Sequence, residues 1–414
     1  MLNAEGTITM RPILIPDYFT EFKCIGSACE DTCCAGWNIE IDKKTYQAYR
    51  KIQHPEMTEK LQNNIKVNHK SNNDKNYAQF ELNNKRCSML LDDGLCSIHK
   101  ELGEELLCNT CAVYPRILTK VGDITEKSLT LSCPEAARIV LLREEGIGFK
   151  EMEEPKNTRG LLNKQLRLED NPYFWDIRIF IIQLLQSRQQ SLEIRLILLG
   201  LFLQKIGQLK EKEFKLELPM IMQDYLNRLD NRSFITSLEN IKGNLNFKFN
   251  IARELIRYRM SGGGASEKYL TILHQLLEGL NLEEDDEHQL QDIEQSISKY
   301  QAAYENLYEP FMQKHEYMLE NYVVNYIFKS LFPCDYKSLF ESYMMLVIHF
   351  TLIKLHLIGM SVKQQKLTQE MVIECVQQLA KMIEHNSSYL QGVREGMESA
   401  GYNTMAYMFV MIKS

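Results

Sequence analysis

Residues 24–34 read CIGSACEDTCC, which places Cys24, Cys29, Cys33 and Cys34 within eleven residues. Cys87 and Cys96 follow as C-x8-C, Cys108 and Cys111 as C-x2-C, and Cys133 stands directly before Pro134. Thiolates are soft ligands suited to zinc, copper(I) or iron–sulfur clusters. A structural zinc takes four ligands, and nine of the eleven cysteines lie before residue 134, too many for one such site. Iron–sulfur clusters are also held by four cysteines, in some cases with a proline beside a ligand. One cluster with further ligands, or two metal centres, matches the count better. Adjacent side chains on extended backbone point to opposite faces, so Cys33 and Cys34 reach two irons or two centres; the competing reading is one ligand and one structural thiol. The C-x2-C pair alone would suit a redox dithiol, but in this crowd it reads as one or two ligands. His99, three residues after Cys96, is a ligand, a donor to one, or a plain surface histidine. Tyr114-Pro115-Arg116 either pins its loop or, through Arg116, holds an anion bidentately. Cys334 and Cys375 sit in or beside apolar helical runs and read as core thiols.

The elements that must position these residues divide the chain in two. Residues 1–150 mix loops with strand-like runs (WNIEID, AQFEL, CSMLL), a short helix at DKKTYQAYRKI, and a polar stretch at 53–79 that reads as loop. Residues 151–414 show apolar residues at helical spacing in one segment after another, with Ser191 as an N-cap. The expected fold is mainly α: a cysteine-rich metal-cluster domain with short strands, then an all-α domain. The acidic run at 283–288 reads as a solvated stretch, and SGGGAS at 261–266 follows a helix and lacks phosphate-loop spacing.

The 414 residues are 44% apolar and 25% charged, with a net charge of −7. That is an ordinary globular balance without a nucleic-acid footprint. The first residues lack the apolar run of a secretion signal. YMMLVIHFTLIKLHLIGM carries His349, Lys354 and His356 and is short for a membrane span, so it reads as a buried helix. A cytoplasmic protein is expected, and clustered cysteines there point to metal or catalysis before disulfides.

Several segments together resemble the flagellin lysine N-methylase family. They are P-x-Y-x-x-x-F-x-C (Pro16, Tyr18, Phe22, Cys24), Cys33-Cys34-x-x-Trp37, Cys87, Cys96, LGEELLCNTCAVYPR at 102–116, LSCPEAAR at 131–138 and ENYVVNYIFKSLFP at 320–333. The first part is also similar to small zinc- or iron-chelating cysteine-cluster proteins. The resemblance implies methyl transfer from S-adenosylmethionine to the ε-amino groups of flagellin lysines, with a [4Fe-4S] cluster, or alternatively zinc, held by cysteines. The ligands it implies are Cys24, Cys29, Cys33, Cys34, Cys87, Cys96, Cys111 and Cys133, with Cys108 left out. Tyr114, Arg116, Glu320 and Tyr322 fall in family-like segments and are the candidates for lining an active site. No G-x-G fingerprint follows a strand, and C-x4-C-x3-C is not the C-x3-C-x2-C spacing of radical S-adenosylmethionine enzymes. The competing class is a non-enzymatic chelator or electron-transfer protein with a helical docking domain; a helical region this long favours an enzyme with a protein substrate.

Overall fold

The computed structural model describes residues 9–36, 38–69, 73–84, 86–263, 265–282 and 293–413. Trp37, the acidic run at 283–288 and Gly264 of the glycine-rich stretch lie outside the described residues.

The fold is mainly α, with a strand-bearing, cysteine-rich N-terminal region followed by helices. A five-stranded mixed sheet joins the two. Its strands are β1 (Met10–Pro16), β2 (Arg116–Val121), β3 (Ile124–Leu129), β4 (Phe149–Pro155) and β5 (Leu162–Leu166). Their order is β5-β2-β3-β1-β4. β1 runs parallel to β3 and antiparallel to β4, and β5 runs parallel to β2. β2 and β3 form a hairpin closed at Val121↔Ile124. Its turn uses Gly122 at φ +55°, and a Cβ there would approach Leu168 Cδ1 to 2.8 Å. Glycine satisfies both demands. β3 reads ITEKSL yet is buried almost throughout, because its charges find partners. Arg178 reaches Glu126 at 3.0 Å, and Lys127 pairs with Glu154.

Between β1 and β2 lies a second, smaller core. The short strands Glu40–Ile41, Ala78–Phe80 and Ile65–Val67 make a three-stranded sheet, packed with the helices Lys43–Tyr49 and Met57–Asn63. The polar stretch at 53–79, expected as loop, therefore contains the helix Met57–Asn63, the strand Ile65–Val67, a short 3-10 helix at Asp74–Asn76 and the start of the strand Ala78–Phe80. Met57 and Leu61, one turn apart, are the residues it buries. Of CSMLL only Cys87 is in a strand; a turn follows.

The helical part packs around one central helix. We label α1 (Pro134–Leu141), α2 (Phe174–Leu185), α3 (Leu192–Ile206), α4 (Tyr317–Ser330), α5 (Leu339–Gln364) and α6 (Gln369–Ile383). Ser191 caps α3, accepting from the Ile194 amide at 3.4 Å. α5 is long and apolar enough to cross a membrane, but 94% of its apolar window is buried inside the protein, as the core's central helix. Its polar residues have internal partners: Lys354 pairs with Glu193, and His356 Nδ1 lies 2.7 Å from the Leu352 carbonyl. α5 crosses the helix Glu267–Leu280 at two facing glycines, where a Cβ on Gly359 would come 2.8 Å from Leu276 Cα. Cys375 is fully buried in α6, while Cys334 is half-buried with its sulfur 3.3 Å from Asn171 Oδ1.

Candidate metal centre and the adjoining cleft

The N-terminal cysteines are free thiols that form one connected neighbourhood. Cys34, Cys87, Cys96, Cys108 and Cys111 belong to the small core. Cys133 belongs to the large one, and Cys24, Cys29 and Cys33 lie on the loop between. Cys33 Sγ is 3.9 Å from Cys34 Sγ. A hydrogen bond from Cys34 lowers the Cys33 thiol to about 7, and Cys34 keeps its proton correspondingly firmly. Burial pushes Cys87 up to about 11 and Cys133 up to about 12. Neighbouring thiols add to this. Cys34 feels Cys33, Cys96 and Cys87; Cys111 feels Cys108, Cys34 and Cys96; Cys133 feels Cys29 and Cys33; Cys29 feels Cys24.

Three of these sulfurs stand at helix starts. Cys96, Cys108 and Cys133 are the residues just before the helices Ser97–Leu102, Asn109–Val113 and α1. Amides that lack a partner within the helix point at them: Ile98 and His99 at Cys96, Thr110 and Cys111 at Cys108, Glu135 and Ala136 at Cys133. Such amides favour thiolate. Cys108, absent from the implied ligand set, is as central as Cys111 and fully buried. His99 is exposed. Among the described residues no three His, Cys, Asp or Glu side chains converge on one metal-sized point. The chemistry of the donor set nevertheless fits a soft metal: free thiols, mutually close, several facing amide donors.

The cysteine loop is anchored on α6. Asp31 Oδ2 accepts from Lys381 Nζ at 2.9 Å, Gln377 Nε2 at 3.0 Å and Gln378 Nε2 at 3.1 Å. Gln377 also donates to the Ser132 carbonyl at 2.8 Å. One turn beyond Lys381, Glu384 accepts from Thr130 Oγ1 at 3.1 Å, and His385 Nε2 lies 2.9 Å from Ser132 Oγ. Tyr114 OH is 3.0 Å from the same Ser132 Oγ.

That end of α6 opens onto a cleft of about 180 Å³, walled by Ile117, Thr130, Tyr326, Lys329, Asp335, Tyr336, His349 and Glu384, with Lys164 and Leu390 also lining it. Lys329 pairs with Glu384 across it, both side chains about one-tenth exposed. Burial would raise the Glu384 carboxyl, but Lys329 outweighs it and holds it ionised. His349 is lowered to about 4 by burial, so it is neutral near pH 7. A larger groove of about 310 Å³ runs along the helix Glu211–Asp230, lined by Glu217, Met220, Asp224 and Arg228 among others. Its Asp224–Arg228 pair is solvated, and the groove shares no residue with the cysteine region.

The residues singled out from sequence land in different places. Tyr114 sits on the Ser132 bridge between cysteines and cleft. Arg116 stacks over Phe22, its Cζ 5.1 Å from the ring centre, so two parts of the cysteine motif touch. Tyr322 is buried beside the cleft, its OH 3.3 Å from His349 Nδ1. Glu320 is 1% exposed and taken up by Arg188 at 2.8 Å and Arg195 at 2.6 Å, a buried ion network outside the cleft. Sequence reasoning missed Asp31, Asp335, Glu384 and His385. Lys329 and Tyr326 lay inside the quoted ENYVVNYIFKSLFP segment, and His349 was visible as a histidine inside an apolar run.

The profile of the FliB lysine N-methylase C-terminal domain matches residues 178–411, more than half of the chain. A protein called lysine-N-methylase from Salmonella typhimurium (strain LT2) is 26% identical over 334 residues, covering 77% of this chain and 78% of that protein. The lysine-N-methylase of Salmonella choleraesuis (strain SC-B67) matches with the same identity and coverage. The flagellar biosynthetic protein FliU of Salmonella muenchen is 34% identical over 128 residues, covering 30% of this chain and 75% of that protein. No solved structure matches. With the helical part matched by that profile and most of the chain aligned to such relatives, this chain belongs to the FliB lysine N-methylase family.

Proposed function

We propose that this protein transfers methyl groups from S-adenosylmethionine to the ε-amino groups of flagellin lysines, and that its N-terminal cysteines hold an iron–sulfur cluster. The observation that carries the reading is the sequence match to lysine N-methylases over most of the chain; the flagellar name of one relative, FliU, supports flagellin as the substrate. The cysteine neighbourhood supports the cluster. Its four ligands would come from Cys24, Cys29, Cys33, Cys34, Cys87, Cys96, Cys111 and Cys133, with Cys108 as a further candidate donor.

A bound sulfonium supplies an electrophilic methyl group to the attacking amine. The protein must deliver that amine neutral, because an unperturbed lysine has a pKa of about 10.4. It must also align nitrogen, methyl carbon and sulfur, which is a matter of positioning. The hydrogen bonds of Gln377 and Lys381 to Asp31, which hold the cysteine loop against the helix leading into the cleft, support this reading. A cytoplasmic location follows from this reading, since flagellin would have to be met before export.

The test is anaerobic purification followed by iron, sulfide and zinc analysis and by incubation with flagellin and methyl-labelled S-adenosylmethionine. Iron and sulfide at about four each per chain, with label on lysine, is the expected result. Zinc alone in protein never exposed to oxygen contradicts the cluster; absence of label contradicts the transfer.

A further inference from the structure

Among the described residues, buried polar side-chain atoms without a hydrogen-bond partner are few, and the largest group of them surrounds one cavity. Among the described residues eleven such atoms occur, and five belong to residues lining the cleft: Ser330 Oγ, both Asp335 carboxylate oxygens, His349 Nε2 and Glu384 Oε1. Buried polar groups are ordinarily satisfied, so a cluster of exceptions around one cavity is a site made for a polar ligand.

The unsatisfied atoms also indicate its chemistry. The carboxylate oxygens only accept when ionised, and they outnumber the donors available to them. The cations are engaged or peripheral. Lys329 is paired with Glu384, and Lys164 is exposed at the rim. A ligand with several N–H donors and a positive charge completes the set, and Tyr326 and Tyr336 add aromatic walls that suit a cation. The volume of about 180 Å³ lies below the ~300–1,000 Å³ of pockets that enclose a whole small-molecule ligand. That volume suits one extended alkyl-ammonium chain.

We propose that this cleft is the acceptor site, taking the ε-ammonium of a substrate lysine between Glu384 and Asp335, with Asp335 as the group that removes its proton. The proposal rests on the methyl-transfer reading above and adds the place and residues for the acceptor. Glu384, kept ionised by Lys329, holds the ammonium. One N–H proton passes to the Asp335 carboxylate and leaves a lone pair on nitrogen. That pair forms the bond to the donor's methyl carbon as the carbon–sulfur bond breaks, its electrons staying on sulfur, and Asp335 returns its proton to solvent. Burial pushes the Asp335 carboxyl up; the Ser342 and Ser330 hydroxyls, close by but outside hydrogen-bond geometry, and the Lys164 charge pull it down, and Tyr326 and Tyr336 are its other titratable neighbours. That direction suits a base. The position is also suitable: Thr130 and Ser132, which bind Glu384 and His385 at the end of α6, lie three residues and one residue before Cys133.

The experiment uses the full-length holoprotein and three variants, Asp335→Asn, Glu384→Gln and Leu390→Trp, the last narrowing the cleft without altering its polar groups. Nε-[¹³C]methyl-lysine amide is titrated in and its methyl resonance followed by NMR, while donor affinity and steady-state methylation of flagellin are measured in parallel. Wild type should broaden and shift the resonance; Leu390→Trp and Glu384→Gln should not. Asp335→Asn should lose about 100-fold in kcat/KM for flagellin, the scale of a lost general base, partly recovered at alkaline pH. All three should bind S-adenosylmethionine within about twofold of wild type, a tolerance well under the tenfold that one 1.4 kcal/mol interaction represents. Methyl-lysine binding that is absent in wild type, or equal in wild type and Leu390→Trp, overturns the site. Flagellin methylation unchanged in Asp335→Asn overturns the assigned base. A wild type that binds methyl-lysine but transfers no label instead refutes the methyl-transfer reading and leaves the site standing.

Discussion

Lys381 Nζ lies 2.9 Å from Asp31 Oδ2, and this contact joins the cysteine loop to the helix whose last turn forms the cleft. Burial would raise the Asp31 carboxyl, but the Lys381 charge and hydrogen bond, with Gln377 and the Thr32 amide, hold it below the usual range. A depressed folded-state pKa contributes stability that is present above the unfolded value, about 3.9, and is lost as pH falls through the folded value. The junction should therefore be intact at pH 5 and fail only in stronger acid. Lys381→Met should cost about 1–3 kcal/mol, less than the loss of a whole buried pair because two glutamine amides still serve Asp31. In metal-free protein it should also speed the reaction of Cys29 and Cys33 with a thiol reagent; unchanged labelling rates would show that the loop is held by something else.

Glu320 carries stability. Arg188 and Arg195 both bind it, and Arg195 also reaches Glu316 at 2.7 Å. Removing one member of a buried ion network costs about 3–5 kcal/mol. Glu320→Ala should lower the unfolding free energy by that amount in chemical denaturation. The fraction that stays folded should methylate at the wild-type rate.

The crossing of α5 with the helix Glu267–Leu280 depends on the absence of side chains at Gly359 and Gly279. Overpacking of this kind costs about 1–3 kcal/mol. Gly359→Ala should reduce thermal stability accordingly, whereas alanine at Gly396, which meets nothing within 4 Å, should not.

His349 and His356 predict an acid limit. Burial lowers both to about 4, from the ordinary histidine value of about 6.5. Between those values the unfolded chain binds more protons than the folded one, so stability is full above pH 6.5 and declines as pH falls toward 4. Each site contributes up to about 3 kcal/mol to that decline. For His349 the facing charges are Glu384, which raises it, and Lys329, which lowers it. Replacing His356 with Leu should flatten the slope of stability against pH in this window, as measured by denaturation at several pH values.

The cysteine region was legible in the sequence because its signal is local: thiols at short spacings keep their meaning wherever the chain goes. The core helix α5 was legible for the same reason. The cleft was not, since Lys329, Asp335, His349 and Glu384 come from separate elements and only the packing of α4, α5 and α6 brings them together. β3 was hidden by charge, because Glu126 and Lys127 look like surface residues until Arg178 and Glu154 are placed beside them. The helix Met57–Asn63 was hidden by composition, its single apolar pair set among polar residues that favour loops.

The most direct test of the central claim is transfer of labelled methyl from S-adenosylmethionine to flagellin by anaerobically purified protein, read as methyl-lysine after hydrolysis. The account predicts label on the ε-nitrogen of lysine. Protein that has its metal and binds S-adenosylmethionine, yet leaves every flagellin lysine unlabelled, would contradict it.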